Sequence, residues 1–280
     1  MTLREWINWG EAKLLAGPHP AKARLDAEAL LLHHLGKSRA WLIAHGDDNF
    51  AGCGSIGFAE QMRRRLGGEP IQYITGVCEF YGLPFQVTRD VLIPRSETEH
   101  SVEKAIELAA AFDTPRILDV GTGSGAIAVS LARHLPHAQI TASDISSTAI
   151  ELARVNATEN SSSIRFLQGD LLEPVAGEQF DLIVSNPPYV PESDRSSLDV
   201  EVRQFEPEGA LFGGTDGLDI YRRLIPDALS LLSPGGFLIL EIGYRQHDAT
   251  EALLHKAGFG AIGFVADLQG IPRVATARHV

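Results

Sequence analysis

The stretch RILDVGTGSGAIAVSLARHL, residues 116–135, decides how the chain is read. A short apolar run, RILDV, meets three glycines at alternate positions, and an apolar helical pattern begins at once behind them. Glycines at 121, 123 and 125 allow a sharp backbone turn and a close approach to a ligand with no Cβ in the way. The helix that follows offers N–H groups at its first turn. The spacing is G-x-G-x-G, which is not the G-x-G-x-x-G of dinucleotide sites, and no Walker lysine follows it.

Outward from this loop, strand-like and helical runs alternate. QITASD (139–144) reads as a strand ending in Asp144, STAIELARVNA as a helix, IRFLQGD as a strand ending in Asp170, and FDLIVS (180–185) as a strand. GLDIYRRLIPDALSLL is a helix with Pro226 as a kink or break, and GGFLILEIG, RQHDATEALLHKAG, GAIGFVAD and RVATARHV complete the series. Such alternation predicts an α/β domain over 95–280 with a mostly parallel sheet and helices on both faces. Ligands of such sheets lie beyond the carboxyl ends of the strands, so residues 121–125, 144, 170–171, 186–189 and 241 carry the site.

Before it, residues 1–75 read as a small helical domain, with apolar positions at helical spacing around Trp6, Trp9, Leu14 and Leu15 and glycine stops at Gly36 and Gly67–Gly68. Residues 68–94 change character: aromatic and β-branched residues alternate with Gly and Pro, and a linker or β-hairpin is expected over 76–94. The run RRR at 63–65 reads as a solvated helix face.

Composition narrows the function classes. The 280 residues carry a net charge of -12, with 44% apolar and 21% charged residues, as in an ordinary globular protein. An acidic chain is a poor match for a phosphate backbone, which makes nucleic acid an unfavoured partner. Two cysteines, Cys53 and Cys78, form no CxxC pair, and the adjacent His33 and His34 lack the i, i+4 spacing of helical metal ligands, so no metal is expected. No 18-residue apolar run and no apolar leader core are present, so neither a membrane span nor a signal peptide is expected, and a cytoplasmic protein is the economical reading.

An acid at the end of the second strand, Asp144, is placed to accept hydrogen bonds from ribose hydroxyls. Asp170 after the third strand is within reach of an adenine edge. With no pyrophosphate cradle, S-adenosylmethionine fits this constellation better than a dinucleotide or a triphosphate. Then comes SNPPYV (185–190), two prolines directly behind a buried strand. Proline fixes its own φ and restricts the residue before it, so the tetrapeptide 186–189 is stiff. An amide or exocyclic amine nitrogen is a poor nucleophile, and a side-chain oxygen at Asn186 with the main-chain carbonyl of Pro187 would hold its two hydrogens and aim its out-of-plane face at a methyl donor. Tyr189 offers a flat face to a planar group.

DVGTGSGAIA, Asp144 and FDLIVSNPPYV together resemble class I S-adenosylmethionine-dependent methyltransferases acting on planar nitrogens. Nearly the whole chain is similar to the HemK/PrmC family, on GEPIQYITG (68–76), VLIPRSETE (91–99), FEPEGALFGGTDGLDIYRRL (205–224) and LEIGYRQ (240–246) as well as the glycine loop and NPPY. The resemblance implies a Rossmann-like methyltransferase that modifies the side-chain amide of the glutamine in the GGQ loop of peptide chain release factors. It implies a cofactor site at Gly121, Thr122, Gly123, Ser124, Gly125, Asp144, Leu171 and Asn186, and a substrate site at Asn186, Pro187, Pro188 and Tyr189, with Asn186, Pro187 and Tyr189 catalytic. It implies that the loop with Arg95, Glu97 and Glu99 closes over the pocket and that the amino-terminal helices recognise the release factor. Ser96 stands where the family commonly has proline, and Leu171 where many members have an aromatic; leucine packs on adenine without aromatic stacking. An adenine amino-group methyltransferase acting on DNA or RNA uses the same four residues and is the alternative.

Overall fold

The computed structural model describes residues 1–49 and 56–280, so Cys53 lies outside the described residues. The chain divides into two compact units, Met1–Val77 with Leu198–Phe205, and Cys78–Ser197 with Glu206–Val280.

The smaller unit is helical, with helices Leu3–Leu14, Ala23–Leu35, Arg39–His45, Ile56–Leu66, Ile71–Thr75 and Val200–Phe205. Thr2 and Glu5 form a capping box on the first helix, each satisfying a main-chain N–H of the other. Leu3, Ile7, Ala27, Leu30, Leu31, Phe58 and Met62 make its core. The arginine run is not a uniformly solvated face. Arg63 is exposed and pairs with Glu60, whereas Arg64 forks onto Glu69 and Arg65 is buried. Arg65 donates to Asp26 at 2.6 Å and to the Glu69 carbonyl at 2.9 Å, and lies 2.7 Å from Glu201. A buried guanidinium needs that many acceptors, so Arg65 is a structural clamp. The stretch 71–75 is a single helical turn ended by Gly76 at φ 77°, because Tyr73 and Ile74 both donate back to the Pro70 carbonyl.

A hairpin comes next in the chain, β1 (Val77–Phe80) and β2 (Leu83–Gln86), and its Phe80 and Phe85 are buried in the core of the larger unit. The main sheet has seven strands: β3 (Arg116–Val120), β4 (Gln139–Asp144), β5 (Arg165–Gln168), β6 (Phe180–Ser185), β7 (Leu232–Glu241), β8 (Gly260–Ala266) and β9 (Pro272–Arg278). Their order is β5-β4-β3-β6-β7-β9-β8. β3 to β7 pair in parallel, and β9 runs antiparallel to both β7 and β8. Helices Glu99–Ala109, Ala126–His134 and Ser147–Glu159 build the core on one face, and Asp219–Leu231 and His247–Ala257 that on the other. Pro226 does not break its helix: it is exposed, so the Arg222 carbonyl that loses its helical partner faces water. β5 ends at Gln168, two residues short of Asp170, which sits in the following turn.

Strand order reverses at β3, and the register there aligns Val120 with Ser143 of β4 and Ser185 of β6. Residues 121, 144 and 186 therefore leave the sheet side by side, at the topological switch point where such sheets bind ligands.

Candidate active site

A cavity of about 490 Å³ opens at that point, a size suited to a small organic ligand. Gly121, Thr122, Gly123, Ser124, Asp144, Asp170, Leu171, Asn186, Pro187, Pro188 and Arg95 line it; Gly125, Glu97, Glu99 and Tyr189 do not.

The glycine loop is held by its own hydrogen bonds. Gly121 and Thr122 donate to the Ser143 carbonyl (2.8 and 3.0 Å), Gly123 to Asp144 Oδ2 (2.9 Å) and Gly125 to the Thr122 carbonyl (2.8 Å). Those four amides are spent inside the protein, so the loop forms no phosphate cradle of the kind a pyrophosphate needs. All three glycines have positive φ, but their surroundings differ. A Cβ on Gly121 or Gly123 meets open space, whereas one on Gly125 comes 3.1 Å from Ala153 Cβ. Gly125 thus serves the close packing of helix 147–159 rather than ligand approach. Asp144 also accepts from Ser146 N–H at 2.9 Å on Oδ1. Two main-chain donors fix the carboxylate, and each oxygen retains a lone pair for a ligand hydroxyl.

Asp119 lies beneath the loop and was not singled out in the sequence, where it passes for one more residue of a buried strand. Its Oδ2 accepts from Thr122 Oγ1 at 2.6 Å and from Ala128 N–H at 3.2 Å, while Oδ1 is buried with no protein partner. Burial pushes its carboxyl up to about 7, against the pull of those two hydrogen bonds.

At the other end stands NPPY. Ser185 Oγ ties the end of β6 to the Val120 carbonyl at 2.7 Å. Asn186 Nδ2 donates to Thr98 Oγ1 at 3.1 Å, and Asn186 Oδ1 is buried with no partner in the protein. Thr98 donates to Glu241 Oε2 at 2.5 Å, and Tyr189 Oη to Glu241 Oε1 at 3.1 Å. Burial of Glu241 pushes its carboxyl up to about 7, and burial with the adjacent carboxylate pushes the Tyr189 phenol well up. Tyr189 therefore turns its hydroxyl to the interior and does not present a face to the cavity. Its carbonyl accepts from Gln246 Nε2 at 2.9 Å. The backbone of Gly217 runs so close that a Cβ there would lie 2.2 Å from the Tyr189 oxygen, and one on Gly213 2.5 Å from the Pro188 oxygen. The tetrapeptide is thus stiff from its prolines and braced from behind by glycine backbone.

Of the 91–99 loop, Val91, Leu92, Pro94, Arg95 and Thr98 reach the cavity. Arg95 pairs with Glu206 at 2.6 Å, Glu99 accepts from the Tyr81 N–H at 2.8 Å, and Glu97 accepts from Ser96. Asp170 pairs with Arg223 at 2.5 Å on the cavity wall. Leu171 holds φ 48°, an unfavourable conformation for a leucine. Leu92, Ile127, Ile145 and Ala210 add apolar lining, and Ile145 is largely exposed at the rim. Among the described residues no cluster of His, Cys, Asp and Glu could hold a metal ion, and no helix is long and apolar enough to cross a membrane.

Two family models match the chain: Methyltransferase small domain over residues 105–205, and PrmC N-terminal domain over residues 5–76. The release factor glutamine methyltransferase of Koribacter versatilis (strain Ellin345) is 42% identical over 279 residues, covering 99% of this chain and 99% of that protein. The protein of the same name from Geobacter sulfurreducens is 42% identical over 282 residues, covering 99% of this chain and 96% of its own length. Among solved structures, a methyltransferase from Pyrococcus furiosus is similar with a TM-score of 0.53 at 19% identity, over 71% of this chain and 90% of that one, which shows a shared fold.

Proposed function

The chain belongs to the family of release factor glutamine methyltransferases, and from that premise we propose that it transfers a methyl group from S-adenosylmethionine to the side-chain amide nitrogen of the GGQ-loop glutamine of a release factor. The observation that carries this reading is the Asn186 Oδ1 atom: a buried acceptor at the cavity with nothing in the protein to accept from. An unpartnered buried carbonyl oxygen costs about 1–3 kcal/mol, a cost offset when a ligand N–H fills it.

The residues fit the cofactor. Asp144, fixed by two main-chain donors, would take the ribose hydroxyls; Gly121 and Gly123 would lie along the ligand where no Cβ intrudes; and Leu171 and Ile145 would pack on a flat base. When bound, S-adenosylmethionine supplies a methyl group made electrophilic by its sulfonium.

The protein's own part is orientation. A glutamine amide nitrogen shares its lone pair with the carbonyl, and no group at the site is basic enough to deprotonate it. Asn186 Oδ1 and the Pro187 carbonyl each accept one of its N–H bonds, which turns the nitrogen's face toward the donor. Acceptors already in place need no reorganisation at the transition state, and alignment of this kind is worth about 7–11 kcal/mol in favourable cases. Tyr189, with its hydroxyl bound to Glu241, is not a base; it anchors the tetrapeptide. The nitrogen becomes strongly acidic once methylated and gives its surplus proton to water. We assign release-factor recognition to the helical unit, and work on that substrate places the protein in the cytoplasm.

Incubation with S-adenosylmethionine and a release factor, followed by mass spectrometry of the GGQ peptide, tests the reading. One added methyl on the glutamine is expected. Methylation of adenine in a parallel plasmid DNA incubation, with none on the peptide, overturns it.

A further inference from the structure

The orientation of the Asn186 amide is set by a group that does not line the cavity. Glu241, at the end of β7, is buried and accepts from two hydroxyls: Thr98 at 2.5 Å on Oε2 and Tyr189 at 3.1 Å on Oε1. A carboxylate only accepts, so Thr98 must give it its one proton. Thr98 is then left as an acceptor toward Asn186, and only the amide nitrogen can satisfy it, at 3.1 Å. The amide oxygen is thereby turned away from Thr98 and left without a partner. The direction of each hydrogen bond follows from the one before it, and the chain starts at Glu241.

We propose that Glu241 is a positioning residue for methyl transfer: acting through Thr98, it decides which end of the Asn186 amide faces the substrate nitrogen. This rests on the reading that Asn186 Oδ1 accepts a substrate N–H. Protonation of Glu241 on Oε2, the oxygen that faces Thr98, reverses the chain. A proton on Oε2 is donated to Thr98, the Thr98 proton turns back toward Asn186, and Asn186 meets it only by presenting Oδ1. The NH₂ then faces the substrate, two donors oppose each other, and transfer stops.

The carboxyl titrates at about 7, raised chiefly by burial. Around it stand Thr98 and Glu97 from the turn before helix 99–109, Tyr189 from the loop after β6, Arg273 on β9, and Tyr221, whose hydroxyl donates to the Glu241 main-chain carbonyl at 2.7 Å. Glu97 raises the value, whereas Arg273 and the two side-chain hydrogen bonds lower it. The rate at saturating cofactor is therefore high above pH 7 and falls below it.

The test is kcat and KM for release-factor methylation at saturating cofactor, from pH 6 to 9, for wild type, Glu241→Gln, Thr98→Val and Thr98→Ser, with cofactor Kd measured by calorimetry. Thr98→Val, which removes the hydroxyl that Asn186 Nδ2 donates to, is expected to lower kcat at pH 8 by about 10- to 100-fold, as misorientation of a reacting group does. Its acid limb should vanish, while KM and cofactor Kd stay within about threefold, since uniform binding is untouched. Glu241→Gln, which does not ionise, should likewise lose the acid limb, and Thr98→Ser, which keeps the hydroxyl, should recover most of the rate lost in Thr98→Val. An acid limb that persists in Glu241→Gln, or wild-type kcat in Thr98→Val, overturns the proposal. So does equal damage from Thr98→Ser and Thr98→Val, a comparison that decides the matter even if Glu241→Gln fails to fold. A wild type that methylates no release factor overturns instead the functional reading beneath it.

Discussion

Asp144 and Asn186 leave strands on either side of β3, and both line the same cavity. Asp144 has each carboxylate oxygen held by a main-chain N–H, of Gly123 and of Ser146, both within two dozen residues of it in the chain. Asn186 has its amide held through Thr98 and Glu241, residues 88 and 143 positions apart along the successive links, and its oxygen is held by nothing. One end of the cavity is built from local backbone and is complete in itself. The other is built from distant side chains and lacks a partner. The first is suited to a ligand that is always the same, and the second to a group that must arrive, be oriented and leave.

Replacing each residue by alanine should separate the two ends. Asn186→Ala is expected to lower kcat by about 10³-fold, the upper range for losing one preorganised group that acts in the transition state, and to leave cofactor Kd within about threefold. Asp144→Ala should do the reverse. Its cofactor Kd should weaken by about 10- to 100-fold, in keeping with loss of a charged hydrogen-bond acceptor worth about 1.5–3 kcal/mol, with a smaller change in kcat at saturation. Calorimetry with cofactor alone, set beside initial rates, checks both. Equal losses in both quantities for both variants would erase the distinction.

A second pair concerns the glycines. Gly121 and Gly217 both have positive φ, at 73° and 76°. A Cβ on Gly121 enters open space, whereas on Gly217 it meets the Tyr189 carbonyl and Gln246 Nε2 at 2.2 and 2.6 Å. Gly121→Ala then costs only the strain of a left-handed residue, about 1–2 kcal/mol, and should weaken cofactor affinity. Gly217→Ala adds backbone overlap of the overpacking kind, about 1–3 kcal/mol more, and displaces NPPY. Thermal melts should rank Gly217→Ala below Gly121→Ala, with the greater loss of kcat falling on the same variant.

The same contrast explains what the sequence could disclose. The sheet, its switch point and the acid at 144 follow from apolar periodicity and from glycines next to one another in the chain. RILDV, QITASD and FDLIVS are strands at those residues, from the first to the last of each. The stiffness of NPPY is equally local. Its support is not. Thr98 is hidden among charges in SETE, Gln246 looks like any helix-start polar residue, and Gly213 and Gly217 look like loop punctuation until the chain brings them against the back of residues 188–189. Asp119 was legible in principle, since an acid inside RILDV must be buried with acceptors to spare, but its neighbours made the run look uniformly apolar.

Both ends nevertheless hide an acid under the surface, Asp119 beneath the glycine loop and Glu241 behind NPPY, each with a carboxyl raised to about 7 by burial. In the unfolded chain both ionise near 4. Below that pH both states are protonated and nothing is lost. Between 4 and 7 the folded protein holds protons that the unfolded chain has released, so folding is disfavoured further with each unit of rising pH, by up to about 1.4 kcal/mol per acid. Above 7 the cost is fully present and constant. Asp119→Asn and Glu241→Gln cannot ionise and escape it. The melting temperature of each variant, minus that of the wild type, should therefore increase from pH 5 to pH 8 in protein without cofactor, by up to about 5–10 °C at the usual 2–4 °C per kcal/mol for a unit of about 200 residues. The absolute sign at any one pH depends on how well each new NH₂ is satisfied, but the trend does not. If the differences stay flat across that range, the acids are not held protonated by burial, and the likeness between the two ends fails at its base.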